Sequence, residues 1–222
     1  MCAWFGCKKH GVPGQACRLF ERYLFSVLHN CVERGDDFRR CLLAEVPILI
    51  ASCISLSAKM SNSALMLHPK VIKIILLCKN IRTTIDEIIA TEFKVFRILD
   101  FRVPMWTSVE VGEMLAVKAG FPVTMLERVA LVVDVAEFHR NIIDRKVKHA
   151  AYGKEQLSSL GISRVLSLHL TAGAVAATAR LGHYDEPEGV RLLAQLTKAP
   201  PLYIECIQDI ICAEILSPQS PI

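Results

Sequence analysis

Between residues 82 and 103, apolar side chains recur every three or four positions, at Ile85, Ile88, Ile89, Val95, Phe96 and Leu99. That interval places them on one face of an α-helix. Thr83 or Thr84 can cap its start, because either hydroxyl can accept from the first free N–H groups, and Asp86 and Glu87 follow where the helix dipole favours negative charge. Pro104 lies beyond the end and stops the helix. Glu92 interrupts the stripe, since it lies seven residues from both Ile85 and Leu99 and four from both Ile88 and Phe96. Burying an unpaired carboxylate costs several kcal/mol, so either a basic group of this chain meets Glu92 or that end of the stripe faces another molecule.

The same periodicity predicts helices along the rest of the chain. The first residues, MCAWFGCKKHGV, read as the last turns of a helix followed by a Gly–Val–Pro–Gly turn. Residues 15–34 carry Leu19, Phe20, Tyr23, Leu24 and Val27 on one side, and Gly35 is a stop signal. Asp36 and Asp37 cap another helix, apolar on most sides from Leu42 to Met60; Pro47, tolerable only in a first turn or at a kink, sets its regular part from near Val46. Ala51, Ser52, Ser55 and Ala58 supply small side chains that suit a central helix approached closely by its neighbours. Pro69 opens a short helix ending near Cys78. Beyond Thr107 or Ser108 as cap, helices are predicted to about Lys118, over 124–139 and 141–151, and from Ser163 to Leu181 with the same small-residue character. Two more follow, near 187–198 and 201–216. No strand-like alternation or hairpin turn is present, so the fold class is all-α, in two lobes with a boundary near Phe101 to Thr107.

At 222 residues and 52% hydrophobic, the chain is long and apolar enough for one large core or two small ones. Nine cysteines without paired spacing imply reduced thiols in the cytosol or nucleus. The longest stretches free of Asp, Glu, Lys and Arg, 46–58 and 165–179, are shorter than the ~18 residues of a membrane span, which implies no membrane partner. A net charge of +4 is too small to imply direct nucleic-acid binding by itself.

Cys2, Cys7, His10 and Cys17 match no familiar zinc spacing, so no metal is assigned; no cofactor fingerprint, phosphate loop, nucleophile elbow or kinase signature occurs, and the reading is a non-enzyme. His139 with Asp134, or Asp144 with His149, offers at most a chance base–orienter pairing. Arg140, Arg145, Lys146, Lys148 and Lys154 stand against Asp144 alone. They form a candidate basic patch for a nucleic-acid backbone or acidic partner, or else a solvated helix face, and Arg39 and Arg40 are open to the same two readings. Lys59 and Glu92 either face a partner or pair with each other to hold two helices together.

The run TEFKVFRILDFRVPMWTSVEVGEML resembles the end of a first cyclin box, where an acidic residue opens the last helix, an "L–D/N–F" element closes it and a Pro–x–x–T linker leads to the second box. ASCISLSAKM resembles the box's central helix with its Ala–x–Lys end, and ERYL at 21–24 resembles the acidic–Arg–aromatic–Leu element of the second helix. The chain is thus similar, to about residue 182, to the cyclin family, and within it to the divergent meiotic type with a cyclin N-terminal domain. The resemblance implies a cyclin fold of two tandem helical bundles: residues 1–103 as a first box lacking most of its first helix, and with it the substrate-docking motif, and 104–222 as a divergent second box. It also implies that Lys59 and Glu92 match the Lys and Glu with which cyclins grip the kinase. The expected function is then that of a non-catalytic regulatory subunit of a cyclin-dependent kinase, acting with recombination proteins in meiotic crossover formation, in the nucleus first and the cytoplasm second. The alternative is a cyclin-fold scaffold that recruits peptides or nucleic acid without a kinase.

Overall fold

The computed structural model describes residues 11–29, 36–61, 67–153, 165–184 and 187–213. All regular structure among them is helical: α1 (Val12–His29), α2 (Asp36–Met60), α3 (Pro69–Leu77), α4 (Ile85–Ile98), α5 (Ser108–Lys118), α6 (Leu126–Phe138), α7 (Arg140–Gly153), α8 (Ser167–Leu181), α9 (Pro187–Thr197) and α10 (Pro201–Ile211), with one 3₁₀ turn at Val123–Met125 before α6. The helix tail read into the first ten residues, the ligand candidates Cys2, Cys7 and His10, and Lys154 lie outside the described residues. The chain divides into two compact units, Met1–Thr107 and Ser108–Ile222, so residues 104–107 belong with the first.

In the first unit α2 is the centre. Ala51 to Ala58 are all buried, and α1 and α4 pack along it around Leu19, Tyr23, Leu49, Ile54, Ile88, Val95 and Leu99. By length and composition α2 could cross a bilayer, yet this burial is what a core helix shows. Two sequence readings are corrected here. The Gly–Val–Pro–Gly stretch is not a turn: α1 already begins at Val12, because Pro13 falls in a first turn where no N–H is required. Pro47 does not delay α2, which runs unbroken from Asp36. The carbonyl four residues earlier, on Leu43, loses its donor but lies on an exposed turn that water reaches. The segment after α4 is tied back to α1, with Gln15 Nε2 donating to Pro104 O at 2.7 Å and an Arg22 guanidinium N–H donating to Arg102 O at 2.9 Å.

In the second unit α8 takes the central place. Every residue from Leu170 to Ala179 is buried, and α5, α6, α9 and α10 surround it. Small residues make this possible: a Cβ on Gly173 would lie 2.3 Å from Ile207 Cγ2 of α10, and one on Gly112 of α5 would lie 3.0 Å from Val133 Cγ2 of α6. One buried polar network joins four of the helices. Glu137 at the end of α6 and Arg140 at the start of α7 are paired at 3.0 Å with 3% and 5% of their side chains exposed. The Ser108 hydroxyl of α5 donates to Glu137, and Arg140 also donates to Val165 O and to the Ser167 hydroxyl of α8.

Candidate functional site

Lys59 occupies the last turn of α2, where the helix dipole favours a cation, and Glu92 lies in the middle of α4. Their side chains meet at 2.5 Å, Nζ to Oε1, and both reach solvent, with 38% and 19% exposed. The basic group that the stripe of α4 demands is therefore supplied within the chain. The pair is not sealed into the core, however.

Helical geometry places Ile89 one turn before Glu92 and Phe96 one turn after it, with Phe93 about 100° further round the helix. Ile89 and Phe93 are exposed, Phe93 at 57%. Phe96 is half-buried and meets the Phe101 ring edge-on, with centroids 5.0 Å apart and planes at 86°. Phe101 is itself 55% exposed. It is held there by an unusual turn: Asp100 and Phe101 both take left-handed conformations, φ +59° and +58°, after α4 ends. Such conformations are unfavourable for residues with a Cβ, by roughly 1–2 kcal/mol each. The turn is closed by the Phe101 N–H donating to Phe96 O and the Arg102 N–H donating to Leu99 O, both at 3.0 Å. Glu92 thus lies on a line of α4 between the exposed Ile89 and the half-buried Phe96.

The remainder of α4 is pinned down. Lys94, two residues on and on another side of the helix, contacts Glu45 of α2 at 2.7 Å. Burial works against its charge, but the Glu45 carboxylate and the Tyr23 phenol hold the ammonium above its ordinary range. Tyr23 is raised as well, by its own burial, with Lys94 acting the other way. At the start of α4, Thr84 rather than Thr83 is the cap: its hydroxyl accepts from the Glu87 N–H at 3.1 Å, and Glu87 Oε2 accepts from the Thr84 N–H at 2.8 Å and from the Thr83 hydroxyl at 2.9 Å. Those donors hold the Glu87 carboxyl below its usual range, the backbone bond first.

The candidate basic patch on α7 is corrected. Arg140 is buried and its guanidinium is engaged by Glu137, Val165 O and Ser167, so it presents no charge to a partner. Lys148 is paired with Asp144 at 2.8 Å. Arg145 is exposed and Lys146 half-buried, which leaves a short basic edge among the described residues of the candidate patch. Asp144, offered as an orienter for His149, is occupied by Lys148 and by the Val165 N–H at 2.7 Å; His139 places Nδ1 2.9 Å from Val135 O of its own helix. Among the described residues no three His, Cys, Asp or Glu side chains converge as a metal site. Cys17, Cys41, Cys53, Cys78, Cys206 and Cys212 form no disulfide among the described residues, and burial, with Cys17 nearby, pushes the Cys53 thiol up to about 12, which keeps it protonated.

Ile89, read from the periodicity as part of the buried stripe, is instead exposed; Phe93 was not singled out, and the L–D–F element was the available signal for Phe101. Comparison with models of protein families, with curated proteins and with solved structures finds no match for this chain.

Proposed function

We propose that this chain is a cyclin-like, non-catalytic regulatory subunit that binds a cyclin-dependent kinase through the Lys59–Glu92 edge of its first unit, in meiotic recombination and crossover formation in the nucleus. The observation that carries the reading is the pairing itself: a lysine and a glutamate from two helices meet at 2.5 Å and reach solvent, with the exposed Ile89 one turn before Glu92 on α4. A partner helix laid over this edge buries Ile89 and can offer carbonyls to Lys59 and N–H groups to Glu92, the strong hydrogen bonds of charged groups. Arg22 and Tyr23 of the ERYL element support the same reading, because one clamps the segment after α4 and the other lies in the core beside Lys94.

The proposed mechanism is a population shift. A subunit that binds only the active placement of the kinase's Lys–Glu pair and activation loop stabilises that state and contributes no reacting group. Co-purification of wild type, Lys59→Ala and Glu92→Ala from germline extract, scored by mass spectrometry for cyclin-dependent kinases, tests it. Kinase recovered with wild type and lost with both variants is the expected result. Kinase recovered equally with all three, or recombination proteins alone recovered with wild type, returns the pair to helix-holding and favours the scaffold.

A further inference from the structure

α3 is apolar on nearly every side, so only part of it can be satisfied by the core. Ile72 and Leu76 point inward and are fully buried, one turn apart. The opposite line of the helix is occupied by Ile74, 60% exposed, with Val71, Leu77 and Cys78 exposed to either side of it. An aliphatic line on the outer side of a helix is the feature that helix-docking surfaces present.

The charges carried by α3 itself have one sign. Lys70 and Lys73 flank the exposed line, and neither has an acidic partner among the described residues. No Asp or Glu occurs between Glu45 and Asp86, although Lys59 of that stretch is already paired with Glu92. We infer that the outward face of α3 (Val71, Ile74, Leu77, with Lys70 and Lys73) is a docking surface for an acidic amphipathic helix of a partner protein. This does not depend on the kinase reading.

Three other occupants fit less well. A second copy of this chain, related by a two-fold axis, would bring Lys70 and Lys73 against their own counterparts. An anionic membrane surface is met by longer helices with Trp or Phe on the apolar face, whereas α3 has nine residues and no aromatic. Single-stranded nucleic acid is held on aromatic platforms within a basic groove, and the centre of this face is aliphatic. An acidic helix with aliphatic residues at three- and four-residue spacing satisfies both features at once, its apolar side on Ile74 and its carboxylates on the lysines.

The test uses the full chain and a fluorescein-labelled synthetic peptide of about four helical turns, with Leu and Ile on one face and Glu on the other. Fluorescence anisotropy is read for wild type, Ile74→Ser and the double variant Lys70→Glu/Lys73→Glu, each checked by circular dichroism and thermal melting. The expected result is binding by wild type, weakened roughly tenfold or more in both variants at unchanged melting temperature, and weakened by added salt. Equal binding of a composition-matched scrambled peptide or of a Lys-for-Glu peptide overturns the inference, as do variants that bind like wild type. Binding to phosphatidylserine vesicles without peptide binding overturns it in favour of lipid. Concentration-dependent dimerisation abolished by Ile74→Ser, without peptide binding, overturns it in favour of a second copy.

Discussion

The two units each place an acid–base pair between helices, and the pairs differ in the property that separates structure from recognition. Glu137 and Arg140 are sealed, and the Ser108 and Ser167 hydroxyls and Val165 O complete their hydrogen bonds. Lys59 and Glu92 are bonded to one another and open to solvent, with the uncovered Ile89 one turn before Glu92. A sealed pair has its partners already and can only hold its own helices in register. An open pair can exchange or add partners without unfolding anything.

The largest effect separating them should come from the sealed pair. Arg140→Ala leaves Glu137 buried without its counter-charge, and breaking a buried pair in this way costs ~3–5 kcal/mol. Urea unfolding monitored by circular dichroism should show a lower midpoint for the variant; a midpoint within error of wild type would dissolve the contrast. The open pair should behave oppositely. Lys59→Ala and Glu92→Ala are each expected to change stability by under ~1 kcal/mol, as exposed pairs do, while weakening the proposed kinase complex by ~2–5 kcal/mol. Calorimetric titration with the purified kinase, set beside the melting temperature of each variant, checks both halves.

A third polar arrangement, the cap of α4, extends the comparison to full exposure. Thr84→Ala removes the acceptor for the Glu87 N–H and should cost ~1 kcal/mol, read as a small fall in the urea midpoint. The smallest effect concerns protonation of Glu87. Because its carboxyl is held below the ordinary glutamate range, the stability it contributes is present above that range and is lost as the pH falls through its lowered folded value. Glu87→Gln keeps an acceptor without the charge. The gap in melting temperature between it and wild type should therefore narrow on acidification below the usual glutamate range; a gap independent of pH would assign the cap to geometry alone.

Much of this was legible in the order of residues. Periodicity located the helices because each must bury a stripe, so α5, α8 and α9 end within a residue or two of the positions expected, and Pro69 and the Thr83–Thr84 pair marked two helix starts by local chemistry. The anomaly of Glu92 was equally visible, since a carboxylate in an apolar stripe requires a partner whatever the fold. What stayed hidden was set by contacts remote in sequence. Arg140 reads as one more cation in a basic run until α8 and the Val165 segment close over it; its neighbours on the chain give no sign of Ser108 or Ser167. Pro47 reads as a helix boundary because propensity is a local preference, and the packing of α1 and α4 along α2 overrides it. Lys59 and Glu92 needed each other's position, 33 residues apart, before their meeting could be known. Local sequence determines which residues must be buried and where helices stop; only the tertiary structure decides which charges meet and which apolar faces stay uncovered, because those depend on the side chains that other helices bring.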